Sequence, residues 1–203
     1  MAEQLTGVIL AGGVSQRMGQ DKACLPWGDA TLLEHIIDTL RPAVDEIIVA
    51  VSDAQRFDLR HARVVEDLVP GAHALGGLYT GLREAAHPRC FVCACDMPFV
   101  NPRLVRALAE QARGYDAVIP RTAQGLQPLH AVYATSVLGA IEEQLHGRRW
   151  DLHTLVARMH TKIMEPEVLA AYDPDGLSCF NLNTPEDYRR ACDMQQALLR
   201  ADR

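Results

Sequence analysis

Thr6-Gly-Val-Ile-Leu-Ala-Gly-Gly-Val-Ser-Gln-Arg-Met-Gly-Gln-Asp-Lys22 begins as an apolar, strand-like run over Thr6–Leu10 and turns abruptly at Gly12 and Gly13. Two adjacent glycines at a strand's end let the backbone approach a ligand closely. Arg17 and Lys22 follow a few residues on. Exposed backbone N–H groups followed by two cations suit the charge of a triphosphate. The spacing matches neither G-x-x-x-x-G-K-[ST] nor G-x-G-x-x-G. Leu10, Ala11, Gly12, Gly13, Arg17 and Lys22 therefore point to nucleotide handling outside the P-loop and dinucleotide classes.

The pattern that continues from this turn sets the fold. Ile47–Val51 and Arg89–Cys95 are continuous apolar runs, suited to strands buried on both faces. Arg63–Val65, Ala117–Ile119, Leu129–Tyr133 and Lys162–Met164 read as shorter strands. Between them lie helical segments. Thr31-Leu-Leu-Glu34 is a capping box for a helix to about Leu40. Further helices are expected over Gly76–Ala86, Ser136–His146 and Asp151–His160. Asn101-Pro102 caps another, to about Arg113, and Thr184-Pro-Glu-Asp187 opens the last. Alternation of this kind predicts one α/β domain over residues 1–203, with a three-layer, mainly parallel, Rossmann-like sheet and helices on both faces. In such sheets ligands bind at the carboxyl ends of the strands, where the glycine turn, Asp67, Asp96 and the segment after Phe180 all fall.

Bulk composition narrows the function. A chain of 203 residues with 48% hydrophobic content can build a full core. A net charge of −6 argues against a nucleic-acid partner, which would call for a basic face. No apolar run reaches about 18 residues, and no secretory leader is visible, so a cytoplasmic protein without a membrane span is expected. The six cysteines are then expected as thiols. Cys90-x-x-Cys93 has the spacing of a redox or metal pair. It lies in an apolar strand, however, and no second ligand pair stands out, so core packing is the better reading.

Asp96 closes a buried strand just before Met97-Pro98. A carboxylate at that edge, facing a phosphate-binding turn, suits Mg²⁺, which takes one or two carboxylates plus substrate phosphates. The competing role is capping of the following turn. Asn181 and Asn183 are two apart and point to one side of an extended segment. Either Asn183 or Thr184 caps the last helix. Arg148 and Arg149 offer either a site for a phosphate on an acceptor or a solvated surface. His130 could serve in a pocket, but a lone histidine on a strand is more often satisfied locally. No nucleophile–base pair stands out.

These residues also carry a family resemblance. Leu10-Ala-Gly-Gly-x-Ser-x-Arg-Met-Gly-x-Asp-Lys22, Cys95-Asp-Met-Pro98, Pro128-Leu-His-Ala-Val-Tyr133 and Asn181-Leu-Asn-Thr-Pro-Glu-Asp187 resemble the molybdenum cofactor guanylyltransferases, in order along nearly the whole chain. The resemblance implies a nucleotidyltransferase, glycosyltransferase A-like fold. It implies transfer of GMP from GTP to molybdenum-loaded molybdopterin, with release of pyrophosphate and formation of the guanine dinucleotide cofactor. Carried over by motif, Leu10, Ala11 and Gly12 would contact GTP, Lys22 its phosphates and Asp67 the nucleoside. Asp96 would contact GTP and hold Mg²⁺, and Asn181 and Asn183 would lie toward the metal or the pterin. Cofactor-delivery proteins or molybdoenzymes would be the protein partners.

Two departures stand out. In its base-recognition loop the family often has Gly-Pro-Leu before a Gly pair where this chain has His73-Ala-Leu-Gly-Gly77, and it can carry Asn where this chain has Ala50-Val-Ser52. The alternatives are a cytidylyltransferase for the same pterin, a sugar-phosphate or isoprenoid nucleotidyltransferase, and a non-catalytic nucleotide-binding protein. Cytidylyl relatives tend to read Leu-Ala-Ala-Gly at the turn. Gly12 at the third position would leave room for the larger guanine.

Overall fold

A computed structural model describes residues 4–12 and 21–201. The strands are β1 (Leu5–Leu10), β2 (Pro26–Trp27), β3 (Ala30–Thr31), β4 (Glu46–Val51), β5 (Arg63–Glu66), β6 (Arg89–Ala94), β7 (Ala117–Thr122), β8 (Gly125–Leu126), β9 (His130–Ala134) and β10 (Thr161–Met164). The helices are α1 (Leu32–Leu40), α2 (His73–Glu84), α3 (Pro102–Glu110), α4 (Leu138–His146), α5 (Leu152–Ala157), α6 (Pro166–Leu169) and α7 (Pro185–Ala201). The main sheet runs β10-β7-β9-β6-β1-β4-β5, with β8 beside β7; β2 and β3 form a separate hairpin.

β1 pairs in parallel with both β4 and β6, β4 with β5, and β10 with β7, while β9 runs antiparallel to both β6 and β7. The sheet is thus mainly parallel, with β9 inverted within it and the two-residue β8 antiparallel to β7 at its side. Side chains alternate between its faces with a period of two. Ile9, Val49, Phe91 and Cys93 face a core shared with α1, α3 and α7. Val8, Ala50, Cys90, Val92 and Tyr133 face a second core shared with α2, α4 and α5. Helices therefore cover both faces, and the expected three layers are present. Cys90 and Cys93 lie on opposite faces of β6 and cannot chelate one ion together. Burial pushes the Cys90 thiol up to about 12, so it packs as a small neutral hydrophobe.

Glycine decides how closely α2 can approach the sheet. A Cβ on Gly81 would fall 2.2 Å from Val8 Cγ1, and one on Gly76 would fall 2.8 Å from the Val69 carbonyl. α2 therefore begins at His73, three residues before the expected start, because Gly76 is needed for this close approach rather than for the helix boundary. Thr31 forms the capping box with Glu34, as the sequence predicts. α5 stops at Ala157 instead of reaching His160, because β10 must start at Thr161 to pair with Ala117. α3 ends at Glu110, and Thr135–Val137 forms a 3-10 turn ahead of α4. The short hairpin β2–β3, strand β8 and helix α6 carry too little periodicity to be read from sequence.

Candidate active site

The carboxyl ends of β1, β4, β5 and β6 lie along one edge of the sheet. Gly12 leaves β1 there, and its carbonyl accepts a hydrogen bond of 2.7 Å from Ser52 Oγ at the end of β4. The Ala11 N–H donates to the Ala50 carbonyl at 2.8 Å. A Cβ on Gly12 would meet Ser52 Oγ at 3.3 Å, so Ser52 fills the space beside the glycine. Leu10 and Ala11 are buried in the wall beneath. Gly13 and Arg17 lie outside the described residues.

Asp67 follows β5. Its Oδ1 accepts from the Val69 N–H at 2.9 Å and from the Thr80 hydroxyl at 3.0 Å. One oxygen thus shapes the turn into α2. The sequence shows the strand end but not this anchoring role for Asp67.

Asp96 follows β6 and is the meeting point of distant motifs. Lys22 Nζ lies 2.7 Å from Asp96 Oδ2 and 3.3 Å from Asn183 Oδ1. Both charged side chains are 16% exposed. Asp21, next to Lys22, accepts from the Ala23 N–H and pairs with Arg56 at 2.9 Å, which fixes the turn that presents the lysine. Asp96 Oδ1 is buried and has no hydrogen-bond partner. A buried carboxylate oxygen without a donor is costly unless something positive reaches it, and a hard cation beside phosphate oxygens suits it. Among the described residues no group of three or more His, Cys, Asp or Glu side chains has the arrangement of a preformed metal site. A cation here would need oxygen ligands from a substrate.

The segment carrying Asn181 and Asn183 is latched to the sheet from several sides. The Leu182 N–H donates to the Asp96 carbonyl at 2.9 Å, and Leu182 itself is buried. Thr184, not Asn183, caps α7: its Oγ1 accepts from the Asp187 N–H, while Asp187 Oδ2 accepts from the N–H groups of Asn183 and Thr184. The Asn183 side chain is thereby free to face Lys22. The Asn181 amide donates to the Cys179 carbonyl at 3.1 Å.

His130 is fully buried at the start of β9. Its Nε2 lies 2.9 Å from Ser178 Oγ, which also accepts from the Asn101 N–H. It is a latch for the Ser178–Asn183 segment and not a cleft residue. Burial lowers its pKa from 6.5 to about 3. Below pH 6.5 the unfolded chain takes up a proton that the folded chain refuses. Stability from this site is therefore complete above pH 6.5 and lost as pH falls toward 3, at up to about 1.4 kcal/mol per pH unit. Urea titrations at neutral and mildly acidic pH should show this loss in the wild type and a smaller one in His130→Gln.

Asp96, Asn181 and Asn183 line an open cleft of about 500 Å³ together with Ala74, Gln127, Trp150, Asp151 and His153. Arg148 and Arg149 are exposed in the α4–α5 loop and are not among the residues lining it. Their neighbour Trp150 is. Gln127, Trp150 and His153 carried no motif, so only the folded chain reveals them as cleft residues.

A Lys–Asp–Asn cluster at the carboxyl ends of a mainly parallel sheet, the edge at which Gly12 also emerges, has the charge and placement that phosphate handling calls for; the class that this fold and cluster describe is nucleotidyltransferase. Residues 7–162 match the model of the MobA-like NTP transferase domain. A "probable molybdenum cofactor guanylyltransferase" of Pelotomaculum thermopropionicum is 39% identical over 188 residues, covering 93% of this chain and 92% of that protein. The chain belongs to the molybdenum cofactor guanylyltransferase family, and it is a nucleotidyltransferase.

The crystal structure of molybdopterin-guanine dinucleotide biosynthesis protein A from Archaeoglobus fulgidus superposes with a TM-score of 0.83 at 27% identity, covering 95% of this chain and 99% of that one. A Mycobacterium tuberculosis H37Rv protein solved as a complex with manganese shares the fold at a TM-score of 0.67 and 23% identity, over 94% of this chain and 98% of that one. Among the described residues no helix is long and apolar enough to cross a membrane.

Proposed function

We propose that the chain transfers GMP from GTP to molybdenum-loaded molybdopterin, releasing pyrophosphate and forming the molybdopterin guanine dinucleotide. The observation that carries this reading is the contact of Lys22 with both Asp96 and Asn183, which joins the phosphate-binding end of the chain to the segment specific to the family. GTP lies over β1, β4 and β5, against Leu10, Ala11, Gly12, Gly13 and Asp67. The acceptor lies on the β6–β9 side, toward Asn181 and Asn183. Asp96, whose Oδ1 lacks a partner, would hold Mg²⁺ through its carboxylate.

The acceptor's terminal phosphate is already anionic at neutral pH and needs no general base. Its oxygen forms a bond to the α-phosphorus of GTP as the bond from that phosphorus to the β-phosphate oxygen breaks. The leaving pyrophosphate takes the electron pair. Catalysis is then positioning and charge neutralisation. The Lys22 ammonium and Arg17 take up negative charge on the leaving group. Asp96 and Asn183 hold Lys22 in place before substrate arrives, and the Asn181 and Asn183 amides orient the acceptor. Bound Mg²⁺ supplies Lewis-acid neutralisation of phosphate oxygens. Arg148 and Arg149 stand at the rim, where they meet the acceptor's charge in solution rather than in the cleft. Delivery proteins or molybdoenzymes are its partners, and the cytoplasm is its compartment.

The test is pyrophosphate release with Mg²⁺ and loaded molybdopterin, GTP and CTP being compared side by side. Turnover with GTP and little with CTP is expected. Nucleotide retention without pyrophosphate would make the chain a binding protein, and a CTP preference would make it the cytidylyl enzyme. Gly12→Ala tests the base wall. The new methyl points at Ser52 Oγ, 3.3 Å away, and acts on the base through displacement of Ser52; KM for GTP should rise roughly tenfold while CTP use stays nearly unchanged, a loss typical of one badly placed methyl.

A further inference from the structure

Trp150 is a large apolar side chain left 43% exposed at the cleft. Its backbone is held firmly. Buried Gln144 donates from Nε2 to the Asp151 carbonyl at 2.7 Å, and the Gln144 carbonyl accepts from the Arg149 N–H at 3.1 Å. The Asp151 carboxylate then caps α5 through the N–H groups of His153 and Thr154. The indole is therefore presented by a pinned loop rather than by a loose one.

Opposite it stands His73, at the entry to α2. The two rings meet edge to face, with centroids 5.5 Å apart and planes at 66°. His73 adopts φ of 53°, a left-handed conformation that favours glycine. A histidine kept there against its backbone preference invites a functional reason, and the next residue, Ala74, lines the cleft. The His73–Trp150 pair thus stands beside a cavity also lined by Gln127, Asn181 and Asn183.

We infer that Trp150, braced by His73, is a stacking platform that positions the flat pyrimidinone face of the acceptor's pterin. The inference rests on the proposed reaction and assigns to it a residue outside every motif. Topology selects the pterin over guanine. Gly12, Ser52 and Asp67 sit at the ends of β1, β4 and β5, whereas the Trp150 cleft is lined mostly by residues that follow β6, precede β9, open α5 and precede α7, with Ala74 alone coming from the start of α2. Asp96 lies between the two halves. An indole face gives a flat heteroaromatic ring contact area without demanding a particular hydrogen-bond pattern, and Gln127, Asn181 and Asn183, whose amides also bond Thr122, Cys179 and Lys22, line the same cleft.

Two measurements test the assignment. In steady-state kinetics Trp150→Ala should raise KM for the molybdopterin acceptor roughly tenfold or more, as loss of an aromatic stacking partner does, with KM for GTP unchanged. Trp150→Phe should recover most of the loss, and His73→Gly should shift the acceptor KM in the same direction by less. In fluorescence, with neither nucleotide nor metal present, a free 6-substituted pterin should quench the wild type and leave Trp150→Phe unaffected. The chain has two tryptophans, and Trp27 is only 3% exposed.

Equal quenching in both proteins, a KM change confined to GTP, or wild-type kinetics in Trp150→Ala would overturn the platform. Quenching that depends on Trp150 in a protein that makes no dinucleotide would keep the platform and sink the proposed reaction instead. Normal turnover in Trp150→Ala would do the reverse.

Discussion

Asp96→Asn is expected to lower kcat by roughly 10²–10³-fold, the usual result of removing one preorganised charge-stabilising group, while the protein stays folded. The asparagine is nearly isosteric, and the backbone carbonyl of residue 96, which accepts from Leu182, is untouched. What disappears is the negative charge. Oδ1, buried and without a partner, no longer offers a hard cation an anionic ligand, and Lys22 loses its 2.7 Å counter-ion. Kinetics over a Mg²⁺ titration separate these effects. A half-saturating Mg²⁺ concentration that rises steeply with the substitution supports metal binding at Asp96. A folded Asp96→Asn enzyme with near-normal rate and Mg²⁺ dependence would remove the assignment.

Lys22→Ala is expected to cost a similar factor, on the order of 10²-fold in kcat, with a different signature. The ammonium lies 2.7 Å from Asp96 and 3.3 Å from Asn183, so it is aimed before any substrate binds. In the proposed reaction its largest contribution falls on the leaving pyrophosphate, where charge grows. The loss should therefore appear in kcat more than in KM for GTP, since an interaction strengthened in the transition state acts on kcat. Lys22→Arg keeps the charge but not its compact shape, and should restore only part of the rate. A loss confined to KM would show that Lys22 merely holds the nucleotide.

The fold was largely legible because its buried strands announce themselves. Thr6–Leu10, Ile47–Val51 and Arg89–Cys95 lack polar interruptions, and caps such as Thr31 and Asn101 mark where helices begin. The inversion of β9 was not legible, since a strand's direction leaves no trace in its hydrophobic pattern. The start of α2 was misplaced because Gly76 and Gly77 resemble a boundary in sequence, while in space they admit Asp67, Val69 and Leu10.

The site divides in the same way. Lys22, Asp96 and Asn183 stood in motifs, and the fold brings them into contact. Trp150 and Gln127 reach the cleft through loop geometry alone. His130, read from sequence as more often locally satisfied than a pocket residue, is a buried latch whose neighbour in space is Ser178, 48 positions away.

The Lys22–Asp96–Asn183 cluster has a bearing on how the chain folds. Its contacts bridge 74 and 161 positions of sequence, and none of them can form inside a local hairpin or a single β–α–β unit. Contacts of such long range form at a high entropic cost and slow the search for the native state. Catalytic competence must therefore arrive late in refolding, after β1 and β6 have paired and α7 has docked. Turnover regained from denaturant should trail the recovery of helical signal, making this enzyme's own activity a reporter of the last step of its assembly.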